Sequence, residues 1–223
     1  FIVGENNRSD ALSGMNLAES LVIYFTKQQE SGVSEAAKAN LKGKKLTALR
    51  LKFMYDSVTE ADELLEHLQP PSTLRHLEVD GWNGERFPQW GIRQLPNLVS
   101  LYIRNCERCR SILPFSRLPH IKSLYVGECE ELDLWDVKDE DDDAGKGNSV
   151  NSSTWLCLKS LEVLYMSGVS KLQSLPSGIG GLSALHDLYI FDCDNLETLP
   201  ESIGGLSQLR RLFIYGCSKF EIG

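Results

Sequence analysis

The amino-acid sequence predicts an α/β fold: a curved solenoid with a parallel β-sheet on its concave face and short helices and irregular loops on its convex face. Three observations carry this prediction. Leucine occurs 34 times in 223 residues, a short leucine motif recurs along nearly the whole chain, and the links between its copies resemble one another. Self-similarity at a period of about 20–50 residues is typical of stacked structural repeats.

The repeated motif has the form Leu-x-x-Leu-x-apolar-x-x-Cys. It reads Leu98-Val-Ser-Leu101-Tyr-Ile103-Arg-Asn-Cys106, returns over 121–129, 161–166, 185–193 and 209–217, and has weaker copies over 74–79, 46–51 and 17–23. The second leucines lie at 21, 49, 77, 101, 124, 164, 188 and 212. Alternating buried positions predict one short strand in each copy, and the spacing is that of a leucine-rich repeat. We expect a single domain, residues 1–223, with about eight rungs.

The segments between the strands predict the other elements. Residues 175–182 and 199–206 share the pattern Leu-Pro-x-x-Ile-Gly-Gly-Leu, which favours irregular or short helical turns on the outer face. The spacing of apolar residues predicts helices over 34–41 and 60–68, which Gly43 and Pro70-Pro71 terminate. The cysteine that ends each motif is expected to be buried and to hydrogen-bond the backbone where the chain leaves the sheet.

An acidic insert interrupts the repeats. Residues 128–143 hold ten carboxylates and a single lysine, a net charge of −9, whereas the whole chain has a net charge of −8. Removing this segment brings the long step between the leucines at 124 and 164 close to the usual period. We therefore predict that residues 128–154 form an acidic, flexible loop within the domain.

Charge and hydropathy exclude several classes of protein. The body of the chain is nearly neutral outside the insert, so it lacks the basic footprint that nucleic-acid binding requires. No apolar run approaches the roughly 18 residues of a membrane span. No signal peptide precedes the first repeat, and residue 1 is Phe, so we expect the chain to be a piece of a longer protein.

The residues between the buried positions of each strand predict a surface of aromatic side chains. Side chains alternate across a strand, so the residue after the second leucine lies on the concave face. In five consecutive copies that residue is aromatic: Tyr102, Tyr125, Tyr165, Tyr189 and Phe213. With strands about 4.8 Å apart, the row runs roughly 19 Å. Towards the N-terminus the equivalent residues are Glu78 and Arg50.

This row has two interpretations. Aromatic and arginine side chains are enriched in protein interfaces, which favours a binding surface; a ladder of cross-strand pairs that stabilises the sheet is the alternative. For the binding surface, the candidate residues are Tyr102, Arg104, Tyr125, Tyr165, Asp187, Tyr189, Phe191, Arg211, Phe213 and Tyr215.

Motifs for metal binding and catalysis are incomplete. Cys106-Glu-Arg-Cys109 has the spacing of half a zinc site, but no second pair or neighbouring His completes it. Residues 139–150 begin like a calcium loop, yet Ala144 and Val150 stand where Gly and Glu are required. We find no arrangement of nucleophile and base, so the sequence predicts no metal site, no cofactor site and no enzyme activity. The thiols suit a reducing compartment.

Ordered landmarks resemble a known family. The segments at 35–41, 64–70, 86–90 and 95–98, followed by the two Leu-Pro links, are similar in order to the leucine-rich repeat region of plant coiled-coil, nucleotide-binding disease resistance proteins. The resemblance implies an intracellular immune receptor located in the cytoplasm. It implies that the region recognises pathogen effectors or guarded host proteins and restrains the receptor's own nucleotide-binding domain. It also implies ADP or ATP binding in the full-length protein, through residues that this chain does not contain.

Two other functions remain open. The chain could be the ligand-binding ectodomain of a receptor-like kinase, although that class usually has Gly-x-Ile-Pro links and paired capping cysteines. It could also be a standalone scaffold of leucine-rich repeats, which the Leu-Pro links would suit. Residues 35–90 argue against the scaffold, since they carry the landmarks of the resistance proteins.

Overall fold

Nine parallel strands form one sheet in which every strand pairs with its neighbours in chain order. The computed structural model describes residues 2–3, 12, 14–26, 39–54, 61–88, 90, 95–112, 118–133 and 157–221. The strands are β1 (Ile2–Val3), β2 (Ala18–Phe25), β3 (Lys45–Phe53), β4 (His76–Asp80), β5 (Ser100–Arg104), β6 (Ser123–Gly127), β7 (Val163–Ser167), β8 (Asp187–Phe191) and β9 (Arg211–Tyr215). Helix α1 spans Ala61–His67, and 3₁₀ turns span Leu41–Gly43, Ser177–Gly181 and Glu201–Gly205. This is the predicted leucine-rich repeat solenoid.

The register of the sheet follows the repeat. The second leucines of successive motifs are paired from β2 to β9, beginning with Leu21 opposite Leu49 and ending with Leu188 opposite Leu212. The eight predicted strands are therefore confirmed. Strand β1 is an additional one that sequence reasoning missed, because it is two residues long and carries no copy of the motif.

The core is a continuous layer of leucines behind the sheet. In the rung of β5, the side chains of Leu98, Leu101 and Ile103 are fully buried, and the same three positions are buried in most other rungs. Complete burial of one such side chain contributes roughly 1.5–3 kcal/mol. Each rung packs on its neighbours, so the spacing of leucines determines both the core and the stacking.

The chain leaves the sheet in the same way in six consecutive rungs. The residue after each of the strands β4 to β9 has a positive φ, whether it is Gly, as at Gly81 and Gly168, or another residue, as at Asn105. The next residue in four of these rungs is the motif cysteine. The thiols of Cys106 and Cys129 each donate a hydrogen bond of 3.2 Å to the carbonyl oxygen two residues earlier. The predicted buried, hydrogen-bonded role is confirmed for Cys106, Cys129 and Cys193, whereas Cys217, on the last rung, is only partly buried.

Helix α1 is attached to the following rung by tryptophans. The indole N–H of Trp82 donates to the carbonyl of Ala61, and that of Trp90 to the carbonyl of Leu65, each at 2.9 Å. This helix confirms the one predicted over 60–68. The helix predicted over 34–41 lies mainly outside the described residues; at its end Asn40 has left-handed φ and ψ, so an α-helix does not continue through it.

The predicted acidic insert begins in ordinary repeat structure. Cys129 and Leu132 are fully buried in the core, and the backbone N–H of Asp133 bonds the carbonyl of Arg110 in the preceding rung. Residues 128–133 thus complete a regular rung. Residues 134–154, the remainder of the insert, lie outside the described part of the chain.

Candidate functional site

The concave face carries three columns of side chains. They come from the first, third and fifth positions of the five-residue strands, which point away from the leucine core. The strand register stacks Tyr102, Tyr125, Tyr165, Tyr189 and Phe213 in the central column. We call these five residues the aromatic row.

Neighbouring rings of the aromatic row are in contact. The ring centroids of Tyr102 and Tyr125 lie 4.2 Å apart with nearly parallel planes. The next three steps along the row are 5.6, 6.1 and 5.5 Å. The three longer distances lie within the range that aromatic pairs prefer. The row is therefore a continuous surface.

Phe191 widens the aromatic row. It belongs to the next column, yet its ring centroid lies 5.4 Å from that of Tyr165 and 6.2 Å from that of Tyr189. On β9, Phe213 and Tyr215 are 51% and 74% exposed, whereas the tyrosines of the row are partly buried. The structure thus brings most of the predicted binding residues into a single aromatic patch, broadest at β7 to β9.

The phenol group of Tyr102, at the N-terminal end of the row, is held in its protonated form. Burial raises the pKa of Tyr102, and a hydrogen bond and charge interaction with Tyr125 raise it further. A neutral phenol both donates and accepts hydrogen bonds. The patch therefore offers a partner ring faces together with hydroxyl groups along one line.

The N-terminal part of the concave face is charged and internally paired. Arg50 lies 3.1 Å from Glu78, and Lys52 lies 3.2 Å from Glu78 and 3.3 Å from Asp80. Burial lowers the pKa of Lys52, but hydrogen bonds and charge from the two carboxylates outweigh it, and the pKa is raised. Sequence reasoning identified Arg50 and Glu78 as the end of the row but missed Lys52 and Asp80. Their position two residues further along the same alternation was the available signal.

Asp187 differs from the other candidate residues because it is buried. Its side chain is 4% exposed and accepts hydrogen bonds from the Nε and Nη2 groups of Arg211. Nδ1 of His186 also lies 3.1 Å from the carboxylate. Burial alone would raise the pKa of Asp187, but these hydrogen bonds and the charge of Arg211 lower it. Asp187 is therefore a positioning residue that holds Arg211 at the edge of the aromatic patch.

Arg104 is exposed and forms no ion pair with any described residue. It stands beside the aromatic row on β5, in the column that also contains Asp80 and Phe191. In the next rung of this column stands Gly127.

Four of the six cysteines, Cys106, Cys109, Cys129 and Cys193, belong to the core. Cys106 and Cys109 are fully buried, and the thiol of Cys109 bonds the carbonyl of Ser111 at 3.3 Å. Burial raises the pKa of Cys109, which disfavours the thiolate that a metal would need. Across the described ranges, no group of three or more His, Cys, Asp or Glu side chains is placed to hold a metal ion.

Among the residues that the structure describes, no helix is long and apolar enough to cross a bilayer.

Family comparisons agree with this structure. Residues 10–129 match the family of R13L1/DRL21 leucine-rich repeats, and residues 92–218 match the leucine-rich repeats of RPS2-like plant disease resistance proteins. Each match covers more than half of the chain. The chain therefore belongs to the leucine-rich repeats of plant disease resistance proteins, and the resemblance drawn from the ordered landmarks is confirmed.

Individual relatives come from Solanum bulbocastanum and carry disease resistance designations. RGA1 is 35% identical over 123 residues, which cover 53% of this chain and 12% of RGA1. Disease resistance protein RGA2 is 30% identical over 128 residues, again 53% of this chain and 13% of the relative. The matched segment is thus about an eighth of the length of these proteins.

A solved structure shares the fold. The leucine-rich repeat domain of the type III effector XCV3220 (XopL) superimposes with a TM-score of 0.62 over 95% of this chain and 64% of that domain, at 24% sequence identity. At this identity the likeness establishes the solenoid architecture alone.

Proposed function

We propose that the chain is the protein-recognition module of an intracellular plant immune receptor. The aromatic patch binds a pathogen effector or a guarded host protein, and the module also restrains the receptor's own nucleotide-binding domain. In this proposal the receptor acts in the cytoplasm, and ADP or ATP binds to the nucleotide-binding domain and not to this chain. Family membership supports an immune role, and leucine-rich repeats mainly serve as interaction modules.

One observation carries the choice of surface. Six aromatic rings, those of the aromatic row and Phe191, form a continuous patch with exposed rings at its C-terminal end. Aromatic side chains dominate the binding energy of protein interfaces. The charged side chains of β3 and β4 are already in ion pairs with one another, so a partner protein would gain less binding energy from them.

The proposal favours a resistance protein over the two alternatives. Neither the ectodomain of a receptor-like kinase nor a standalone scaffold is supported by the family matches, which are to resistance proteins over both halves of the chain.

The test measures binding by variants of the patch. The chain is screened against collections of purified effector and host proteins and against the receptor's nucleotide-binding domain, and the affinities of the hits are measured by calorimetry. Tyr165→Ala combined with Tyr189→Ala should weaken binding at least about tenfold, or ~1.4 kcal/mol. Tyr24→Ala is the matched control, because Tyr24 is a 37% exposed aromatic on β2, away from the patch. Unchanged binding by the double variant would show that the patch is not the interface.

A further inference from the structure

The aromatic patch ends on β8 and β9 in rings that a partner can reach. Phe213 and Tyr215 are 51% and 74% exposed, and Phe191 lies opposite Tyr215 in the strand register. We call Phe191, Phe213 and Tyr215 the exposed end of the patch. All three side chains point out of the concave face, so a further strand that paired with the edge of β9 would leave their direction unchanged.

Unpaired carboxylates border this end of the patch, where the chain leaves the strands. Glu128, Asp192 and Asp194 are exposed and form no ion pair with any described residue. We call these three residues the acidic edge. Asp192 is the closest link to the rings. It directly follows Phe191 in the chain, and a Cβ added to Gly216, the residue after Tyr215, would collide with the Asp192 carboxylate.

The turns beside the acidic edge supply little positive charge. The chain leaves the last four strands through the described stretches 128–133, 168–175, 192–199 and 216–221. Lys171 and Lys219 are the two cations in these stretches. Lys171 pairs with Glu131 at 2.8 Å, and the ammonium group of Lys219 donates to the amide oxygen of Asn195 at 2.7 Å. Both cations are therefore bonded to groups outside the acidic edge.

The arginines of the concave face do not neutralise the acidic edge either. Arg211 is held by Asp187 at the opposite border of the patch, where the strands begin. Arg104 lies three rungs before Phe191, or about 14 Å, which is longer than the Debye length of about 8 Å at physiological salt. The exposed end of the patch thus has a negative border on one side.

Ring faces beside unpaired carboxylates favour an arginine in the ligand. A guanidinium group is attracted to the face of an aromatic ring. It also forms two parallel hydrogen bonds with a carboxylate, and its planar shape allows both contacts at once. The ammonium group of a lysine has the same charge but lacks this planar fork. An acidic ligand would be repelled by the same border.

We propose that the exposed end of the patch and the acidic edge together bind a segment of the partner protein that carries an arginine next to a large apolar residue. The guanidinium stacks on the ring of Tyr215 and pairs with Asp192, while the apolar side chain packs on Phe191 and Phe213. This inference rests on the proposed function, since it names the chemistry of the partner segment that the aromatic patch recognises.

The test begins with a phage-displayed library of random linear peptides, selected on the purified 223-residue chain. Selected peptides should be enriched in Arg adjacent to Leu, Phe, Tyr or Trp. One selected peptide is then synthesised with Arg, with Lys and with citrulline, the neutral counterpart of arginine, and the three are compared by fluorescence anisotropy. The Arg peptide should bind at least about tenfold more tightly than the citrulline peptide. The Lys peptide should fall between them, and the differences should shrink as salt is raised.

Variants of the chain locate the carboxylate. Asp192→Asn should abolish the preference for Arg over citrulline. Asn tolerates the positive φ of 52° at this position, so the variant should retain the melting temperature of the wild type. Glu201→Gln is the matched control, because Glu201 is an exposed carboxylate on a 3₁₀ turn away from the concave face, and it should keep the preference.

A second pair of variants locates the ring. Tyr215→Leu keeps an apolar side chain but removes the ring face, and it should weaken the Arg peptide at least about threefold. Since Tyr215 is 74% exposed, the melting temperature should be unchanged. Tyr24→Leu, on the aromatic side chain of β2 that is 37% exposed, should bind the peptide as the wild type does.

The outcomes separate this inference from the proposed function. Peptides that bind through the aromatic patch, as shown by loss with Tyr165→Ala, but bind equally well with citrulline or to Asp192→Asn, would overturn the arginine site and leave the proposed function standing. Enrichment of acidic peptides would do the same. Failure to select any peptide, or peptides insensitive to Tyr165→Ala, would count against both.

Discussion

Truncation of Tyr165 distinguishes a binding surface from a ladder of rings that merely stabilises the sheet. Tyr165 lies at the centre of the aromatic patch, with Tyr125, Tyr189 and Phe191 as its ring neighbours at 5.6, 6.1 and 5.4 Å. The substitution Tyr165→Ala removes all three contacts but leaves the leucine core behind the strand unchanged. It therefore tests the row without a cavity in the core.

The structure sets the expected loss of stability. Cross-strand side-chain pairs contribute about 0.2–1 kcal/mol each, so three pairs predict a loss of roughly 0.6–3 kcal/mol for Tyr165→Ala. The neighbouring Leu164 is fully buried, and Leu164→Ala should cost about 2–5 kcal/mol, since it leaves a cavity. A domain of ordinary stability, about 5–15 kcal/mol, remains folded after the smaller loss.

Urea unfolding followed by far-ultraviolet circular dichroism measures both variants, and the binding assay described above is repeated with Tyr165→Ala. We expect a modest shift of the unfolding midpoint together with a large loss of binding. A loss of stability for Tyr165→Ala that equals the loss for Leu164→Ala, with affinity per folded molecule unchanged, would refute the argument. The row would then be a structural ladder.

Three further predictions concern the repeat itself. Gly81→Ala should cost about 2–4 kcal/mol, because Gly81 has a φ of 75° and an added Cβ would collide with a backbone carbonyl of the preceding rung; Gly204→Ala, with no atom within 4 Å of its Cβ position, should cost nothing in the same urea titration. A thiol reagent should modify the exposed Cys157 in the folded chain and Cys193 only on unfolding, because Cys193 is buried and burial raises its pKa to about 12; equal rates would contradict this. Asp187→Asn should be less stable than the wild type at neutral pH. The folded-state pKa of Asp187 is lowered, so its contribution is present above the unfolded pKa of about 3.9 and should disappear as pH falls below that value; a deficit that persists in acid would contradict the assignment.

The architecture could be predicted from the sequence because each unit of a repeat protein contacts only the units before and after it. Each strand pairs only with the strands before and after it, so a constant spacing of leucines determines register, core and the direction of every strand residue. The aromatic row followed from the same alternation and is present as predicted. Strand β1, which lacks the motif, and the end of the helix predicted over 34–41 were the errors, because no periodic signal marks them.

Which side chains meet across the concave face was decided by the tertiary structure. The sequence placed Asp187 and Arg211 in one column as equal candidates, yet only the folded chain shows Asp187 buried beneath the guanidinium. Likewise, Phe191 joins the aromatic row from another column, and Arg104 forms no ion pair with any carboxylate of the described residues. The spacing of the repeat determines the position of each residue in the sheet. The partners of its side chain depend on the side chain's length, on its rotamer and on the neighbouring charges that it can reach after the rungs have stacked. The sequence by itself thus determined the solenoid and the position of its aromatic surface, and tertiary packing determined which residues of that surface remain available to a partner.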